Sequence, residues 1–67
     1  MREWLREARK ARGFTQKEMA DMLDVSVSYY CMVETGQRQS RLDIPLACGL
    51  ADALGIPLGT VIRNETR

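Results

Sequence analysis

Apolar residues recur along most of this chain at intervals of three and four positions. That spacing places them on one side of an α-helix. Five such stretches follow one another, covering residues 2–12, 16–23, 27–35, 44–54 and 56–63. Helices this short are marginal in isolation, so packing against one another has to stabilise them. The pattern therefore predicts an all-α protein built as a compact five-helix bundle.

Polar residues mark where the predicted helices begin. Thr15 and Glu18 fit a capping box, in which the hydroxyl and the carboxylate each bind the other residue's backbone amide. Ser26 is placed to cap the third helix and Asp43 the fourth. Pro45 falls in the first turn of the fourth helix, where proline is tolerated. These residues fix three of the five helix starts.

The periodic positions also predict the core. Phe14 should pack back onto it, and Gly49, which costs roughly 0.5–1 kcal/mol relative to alanine inside a helix, suggests a close helix–helix contact. The last four residues, 64–67, are expected to fray. Besides the fifth helix, the residues predicted to face the core are Trp4, Leu5, Ala8, Ala11, Met19, Ala20, Leu23, Tyr30, Val33, Ile44, Ala47, Leu50, Ala51 and Leu54.

The second and third helices are separated by only three residues, 24–26. Such a short connection allows a sharp turn but no loop, so the two helices must cross steeply. Ala20, Val25 and Val33 are then expected at their contact. Asp24 should adopt the left-handed backbone conformation, which aspartate tolerates better than most residues. Such a helix-turn-helix presents its second helix to a DNA major groove.

Composition narrows the possible functions. The 67 residues make one domain, 1–67, and leave few side chains for a cofactor pocket. The absence of histidine and the presence of only two cysteines, Cys31 and Cys48, argue against a zinc site or a disulfide framework. No apolar run approaches ~18 residues, so no membrane span is expected. We predict no metal, cofactor or small-molecule ligand and no enzymatic activity, since no histidine base or glycine-rich phosphate loop is present.

Charge is distributed unevenly along the chain. Residues 1–17 contain six Lys or Arg and two Glu, whereas residues 18–36 contain four acids and no Lys or Arg. Residues 37–41 add two Arg. Positive charge therefore flanks the proposed helix pair on both sides in sequence. A nucleic-acid-binding protein needs such local basic regions rather than a large net charge, which here is only +1.

Taken together, these features resemble the lambda repressor/Cro type of DNA-binding domain, also called the XRE family. The resemblance covers roughly residues 3–63 and depends on the joint spacing of many positions. Those positions are Thr15, Gln16, Glu18, Met19, Ala20, Leu23, Val25, Tyr30, Val33, Glu34 to Gly36, and Leu50 to Gly55. It implies a cytoplasmic, bacterial or phage-encoded transcriptional regulator, most often a repressor, that binds double-stranded DNA. A homodimer would bind two half-sites of an inverted repeat about one helical turn apart.

The resemblance also implies roles for individual residues. Arg9 would pair with Glu34 and so orient its guanidinium toward a phosphate. Leu58, Val61 and Ile62 form either the dimer surface or ordinary core. The residues implied to contact phosphates are Arg9, Gln16, Ser26, Gln37, Arg38 and Arg41. The alternative for Ser26 is a simple helix cap, and the alternative for Gln37, Arg38 and Arg41 is a solvated loop. The residues implied to read bases are Val27, Ser28, Tyr29 and Met32, on the side opposite Tyr30 and Val33.

The base-reading positions depart from the usual family pattern. They often carry Gln, Arg, Asn or Lys, which form paired hydrogen bonds with base edges. Here they carry valine, serine, tyrosine and methionine. Recognition would then depend on thymine methyl groups, single hydrogen bonds from Ser28 or Tyr29, and DNA shape. Asp24 and Thr35 replace the commoner glycine and asparagine, and both suit a turn or a cap.

The same apolar side supports a second hypothesis. Val27, Tyr29 and Met32 would suit a protein partner, as in an antitoxin or a partner of another regulator. Salt dependence discriminates between the two, because DNA binding weakens steeply as salt rises. A protein partner seated on these side chains should respond weakly to salt.

Overall fold

The computed structural model describes residues 2–37 and 42–66, and all regular secondary structure in those ranges is helical. The predicted all-α class and its five helices are confirmed. No single helix in these ranges is long and apolar enough to cross a membrane, and the last two reach that size only as a pair bent by 117°. The helices are α1 (Glu3–Ala11), α2 (Gln16–Leu23), α3 (Val27–Thr35), α4 (Ile44–Leu54) and α5 (Leu58–Glu65).

The predicted helix caps are confirmed. The Thr15 hydroxyl accepts a hydrogen bond from the Glu18 amide at 3.1 Å, and the Glu18 carboxylate accepts one from the Thr15 amide at 2.9 Å. The Ser26 hydroxyl accepts from the Tyr29 amide at 3.1 Å, and Asp43 caps α4 in the same way. Local sequence therefore sets the starts of α2, α3 and α4.

The turn between α2 and α3 has the predicted backbone geometry. Asp24 has a φ of 58° and a ψ of 44°, and within residues 2–37 and 42–66 no other non-glycine residue has a positive φ. The Val25 amide donates to the Ala20 carbonyl at 3.0 Å, which closes the end of α2. Aspartate adopts this left-handed conformation at a lower energetic cost than most non-glycine residues, because its side chain is short and polar.

Two adjoining clusters form the core. Trp4, Leu42 and Ile56 contact both clusters and join them. Val25 packs at the margin of the first cluster, which contains Ala20 and Val33, the other two residues expected at the α2–α3 contact. The first cluster contains Leu5, Met19, Ala20, Tyr30, Val33, Leu50 and Leu54, and the second contains Ala47, Ala51 and Val61.

Two residues predicted to face the core lie on the surface instead. Ala11 is exposed because it is the last residue of α1, where the chain turns away. Ile44 is 67% exposed because it is the first residue of α4 and lines a groove beside α5. Helical periodicity is weakest at the ends of short helices, and both errors occur there.

The prediction that the chain frays after residue 63 is wrong for residues 64 and 65. The helix α5 continues to Glu65, whose carboxylate accepts hydrogen bonds from Arg2 Nε at 3.0 Å and Trp4 Nε1 at 2.7 Å. The Arg2 guanidinium also donates to the Val33 carbonyl in α3. Arg2 and Trp4 therefore meet the last turn of α5, and Arg2 also reaches the last turn of α3.

The predicted close contact at Gly49 is confirmed. A Cβ atom added to Gly49 would lie 2.9 Å from Leu23 Cδ2, which is closer than real Cβ contacts. The helix α4 therefore approaches α2 directly at this position, and glycine provides the space.

Candidate nucleic-acid interface

One side of α3 is open to solvent along its first two turns. Val27 is 40% exposed, Ser28 is exposed, and Met32 is half-buried. Tyr30 and Val33, on the other side, are buried in the core. We call the Val27, Ser28 and Met32 side of the helix the open side of α3. It offers one hydroxyl between two apolar side chains and no charge.

Tyr29 differs from the other predicted base-reading residues. Its ring is half-buried and packs against the core, where it borders a shallow groove with Met22 and Leu46. The side chain therefore lies against the start of α4 rather than on the open side of α3. Tyr29 is therefore not counted in the open side of α3, and its base-reading role stays a prediction.

Arg9 and Glu34 form a buried ion pair that joins α1 to the last turn of α3. The Arg9 Nε atom donates to Glu34 Oε2 at 3.0 Å, and Arg9 Nη2 donates to Glu34 Oε1 at 3.3 Å. The side chains are only 10% and 2% exposed. The pair that the resemblance implies is thus present in the structure.

The same geometry limits how much of Arg9 is available to a phosphate. All three guanidinium nitrogens of Arg9 donate within the protein, since Nη1 binds the Phe14 carbonyl at 2.8 Å in addition to the two bonds to Glu34. The guanidinium therefore holds α3 against α1 with three of its five N–H groups, and its contact with a phosphate stays a prediction.

The ion pair changes the titration of its members. Burial by itself raises the pKa of the Glu34 carboxyl, but the hydrogen bonds and charge of Arg9 outweigh it and leave the pKa below its usual value. The hydrogen bond to Glu34 raises the pKa of Arg9, while burial acts in the opposite direction. Both partners are therefore charged at neutral pH.

Tyr30 lies beside the same carboxylate. Its hydroxyl is buried and, within the described ranges, has no hydrogen-bond partner in good geometry. Burial raises the pKa of Tyr30 far above its ordinary value, and the nearby Glu34 carboxylate raises it further. The phenol is therefore neutral, and the charge in this part of the core is that of the Arg9–Glu34 pair.

The Gln16 amide is oriented by two neighbours at the start of α2. The Cys31 thiol donates to Gln16 Oε1 at 3.1 Å, and Gln16 Nε2 donates to Glu34 Oε1 at 3.4 Å. A primary amide carries two N–H groups, so this arrangement leaves one for an external acceptor. The half-buried side chain is thus held in place at a helix N-terminus.

The structure describes two of the other four predicted phosphate ligands. Ser26 is exposed, and because its oxygen accepts the capping hydrogen bond, its hydroxyl hydrogen can donate to another group. Gln37 is exposed just beyond α3. Arg38 and Arg41 lie outside the described residues, and their phosphate contacts stay a prediction.

The three dimer candidates on α5 are not equivalent. Val61 is completely buried against α4. It packs in the core of its own chain, so the prediction that it contacts a second copy is wrong. Leu58 is half-buried against the same cluster. Ile62 is 46% exposed and lines a groove of about 480 Å³ together with Ile44.

Two contacts at this site gave no signal in the sequence. The sequence pattern assigns no contact to Arg2, yet its amide donates to the Glu34 carbonyl at 2.9 Å and its guanidinium to the Val33 carbonyl. The sequence pattern likewise assigns no contact to Cys31, yet its thiol donates to Gln16 Oε1. Both contacts join residues at least 15 positions apart, beyond the reach of local patterns.

The fold and the open side of α3 define a class: a small helix-turn-helix domain whose second helix is held from behind. The sequence model of a family described as "Helix-turn-helix" matches residues 5–61. The chain therefore belongs to the helix-turn-helix family of the lambda repressor/Cro, or XRE, type.

A relative in Bacillus subtilis (strain 168) is described as "Uncharacterized HTH-type transcriptional regulator YqaF". The two sequences are 44% identical over 49 residues, which cover 73% of this chain and 64% of the relative. The similarity thus extends over less than two thirds of the relative's length.

Proposed function

We propose that this protein is a transcriptional regulator that binds double-stranded DNA with the open side of α3 in the major groove. The observation that supports this most strongly is that Val27 and Ser28 are exposed and Met32 is only half-buried, while the opposite side of the same helix is fully buried. The ion pair of Arg9 and Glu34 joins the end of this helix to α1. A domain this small acts most directly by occupying DNA that other proteins need, so we propose a repressor working in the cytoplasm.

Phosphate contacts at two helix N-termini would position α3 in the groove. The starts of α2 and α3 carry Gln16 and Ser26, and the unpaired amides and positive dipole end of a helix both favour an anion. Such contacts fix the register of a protein on DNA without reading sequence. Gln37, Arg38 and Arg41 would add contacts beyond α3.

The proposed regulator binds as a homodimer. Its principal dimensions are 25 × 23 × 20 Å, whereas equivalent half-sites on one face of DNA lie about 34 Å apart. One copy therefore reaches one half-site. Ile62 and Ile44, which are exposed side by side at the α4–α5 groove, are the proposed contact between copies, with Leu58 at its margin.

Selection from a random duplex pool followed by gel shift tests the DNA-binding function. We expect an inverted-repeat site whose binding is lost when Gln16→Ala and Met32→Ala are combined. Met22→Ala is the control, because Met22 is a methionine on α2 that is 47% exposed and lies off the open side of α3. Recovery of no preferred duplex, or equal losses for Met22→Ala and Met32→Ala, would contradict the proposal.

A protein-interaction module is the second candidate function, because the open side of α3 is mainly apolar. The two candidates predict different salt dependence. Binding to DNA should follow a log–log slope near −0.9 for each phosphate neutralised, and Arg38→Ala should reduce that slope by about 1. A protein seated on Val27 and Met32 should show little salt dependence and no effect of Arg38→Ala.

A further inference from the structure

The chemistry of the open side of α3 narrows the DNA sequence that it would recognise. This inference rests on the proposed function. The helix α3 reads VSYYCMVET and contains no Arg, Lys, Asn or Gln. Its one charged residue, Glu34, is buried in the pair with Arg9. No residue of this helix can therefore make the paired hydrogen bonds that identify guanine or adenine.

The Gln16 side chain at the start of α2 does not supply such a pair of hydrogen bonds. The Gln16 amide is held by Cys31 and Glu34 at the start of α2. The first turn of α3 has two further hydroxyls besides that of Ser28, of which that of Tyr30 is buried in the core, while Tyr29 packs toward α4. The groups left for the base edges are the Val27 isopropyl group, the Met32 thioether and the Ser28 hydroxyl.

Only one group in the major groove matches two apolar side chains. The four bases present hydrogen-bond donors and acceptors there, and thymine alone adds a methyl group at C5. We propose that this protein recognises its half-site through thymine C5-methyl groups packed against Val27 and Met32, with a single hydrogen bond from Ser28. Its target is then a duplex with A·T pairs at the positions that these two side chains face.

Helix geometry adds a spacing to this target. Val27 and Met32 are five residues apart, which corresponds to about 7.5 Å along the helix axis. Base pairs rise about 3.4 Å each. If α3 lies along the groove, this axial rise corresponds to about two base-pair steps, and the two side chains also differ by about 140° in direction around the helix axis.

Replacing thymine by deoxyuridine in the selected duplex tests the proposal without changing the protein. Deoxyuridine pairs identically and keeps its O4 acceptor but lacks the methyl group. Burying one methyl group contributes roughly 0.8 kcal/mol, which corresponds to an affinity change of about fourfold. We expect a loss of about fourfold at each contacted position and about sixteenfold when both are replaced.

Two further measurements separate methyl recognition from DNA shape. Val27→Ala should remove the thymine–uracil discrimination at one position and leave it at the other, where Met32→Ala should remove it. A 5-methylcytosine at a contacted thymine position should bind about fourfold more tightly than cytosine there, because it restores only the methyl group. Melting curves verify that both variants are folded.

The possible outcomes are distinguishable. If uracil-containing and thymine-containing duplexes bind equally, the methyl proposal is wrong while the DNA-binding function stands. If uracil weakens binding but 5-methylcytosine gives no gain over cytosine, the discrimination comes from DNA shape, and the proposal is likewise overturned. If no duplex is bound at low salt, the proposed function itself fails.

Discussion

At the scale of single residues, the Arg9–Glu34 pair joins α3 to α1. Both side chains are buried, and the carboxylate accepts from two guanidinium nitrogens and from Gln16. A buried charge that loses its partner keeps its desolvation penalty without compensation. The pair therefore stabilises the position of α3 relative to α1 and orients Gln16 as well.

Removing the charge of Glu34 should destabilise the fold strongly. We expect Glu34→Gln to lower the free energy of unfolding by about 3–5 kcal/mol, because Arg9 would remain buried and unpaired. Urea unfolding followed by circular dichroism measures this change. The matched control is Asp21→Asn, which breaks the exposed ion pair of Lys17 with Asp21 and should cost under ~0.5 kcal/mol. Similar losses for the two variants would contradict the assigned role.

The same pair should make stability depend on pH. Because the folded pKa of Glu34 lies below its unfolded value of about 4.3, its contribution is complete above that pH. It is lost as the pH falls through the folded pKa. The stability difference between the wild type and Glu34→Gln should therefore narrow on acidification below about pH 4. A difference that stays constant from pH 7 to pH 3 would show that Glu34 is not preferentially ionised in the fold.

At the scale of helices, the features set by neighbouring residues were predictable from the sequence. The capping box of Thr15 and Glu18, the left-handed turn at Asp24 and the termini of α3 each depend on a few consecutive residues. The last turn of α5 was missed because Glu65 is held by Arg2, which is 63 positions away.

The residues that a short helix buries were predictable only in part. Val61 and Ile62 are adjacent apolar residues on an eight-residue helix, so periodicity gives little basis for choosing which one faces the core. The structure buries Val61 and exposes Ile62. Val61 is the buried one because it faces Ala47 and Ala51 of α4, and the local sequence of α5 does not specify where α4 lies. The candidate site was also predictable only in part. The spacing of apolar residues along α3 predicted which side of the helix is open, but it did not predict the hydrogen bonds of Gln16.

The contact between Glu65 and the N-terminal residues should stabilise α5 and the end of α3 together. We expect Glu65→Ala to cost about 1–3 kcal/mol, because it leaves the Trp4 indole N–H and the Arg2 guanidinium without this acceptor. The single tryptophan should report the change in its fluorescence, and hydrogen exchange should increase at the α3 end. Arg63→Ala, at an exposed position on the same helix, should leave both signals unchanged. Equal behaviour of the two variants would argue against the coupling.

At the scale of the whole molecule, the domain is too small to read two successive half-sites alone. We expect Ile62→Glu to place a charge in the proposed contact between copies and to shift sedimentation from dimer to monomer. Affinity for the full inverted repeat should fall at least tenfold, while affinity for a single half-site stays within about twofold. Thr60→Glu, on the same helix but away from the groove-lining residues, is the control. A wild-type monomer at high concentration, with and without DNA, would remove the dimer proposal.

The most direct test of DNA contact by the open side of α3 is an NMR titration of the ¹⁵N-labelled protein with the selected duplex. We expect the largest amide shifts at Gln16, at residues 26–28 and at Met32, with small shifts in the middle of α4. Shifts confined to the α4–α5 groove, or an unchanged spectrum at a duplex excess and low salt, would contradict the claim that the open side of α3 meets DNA.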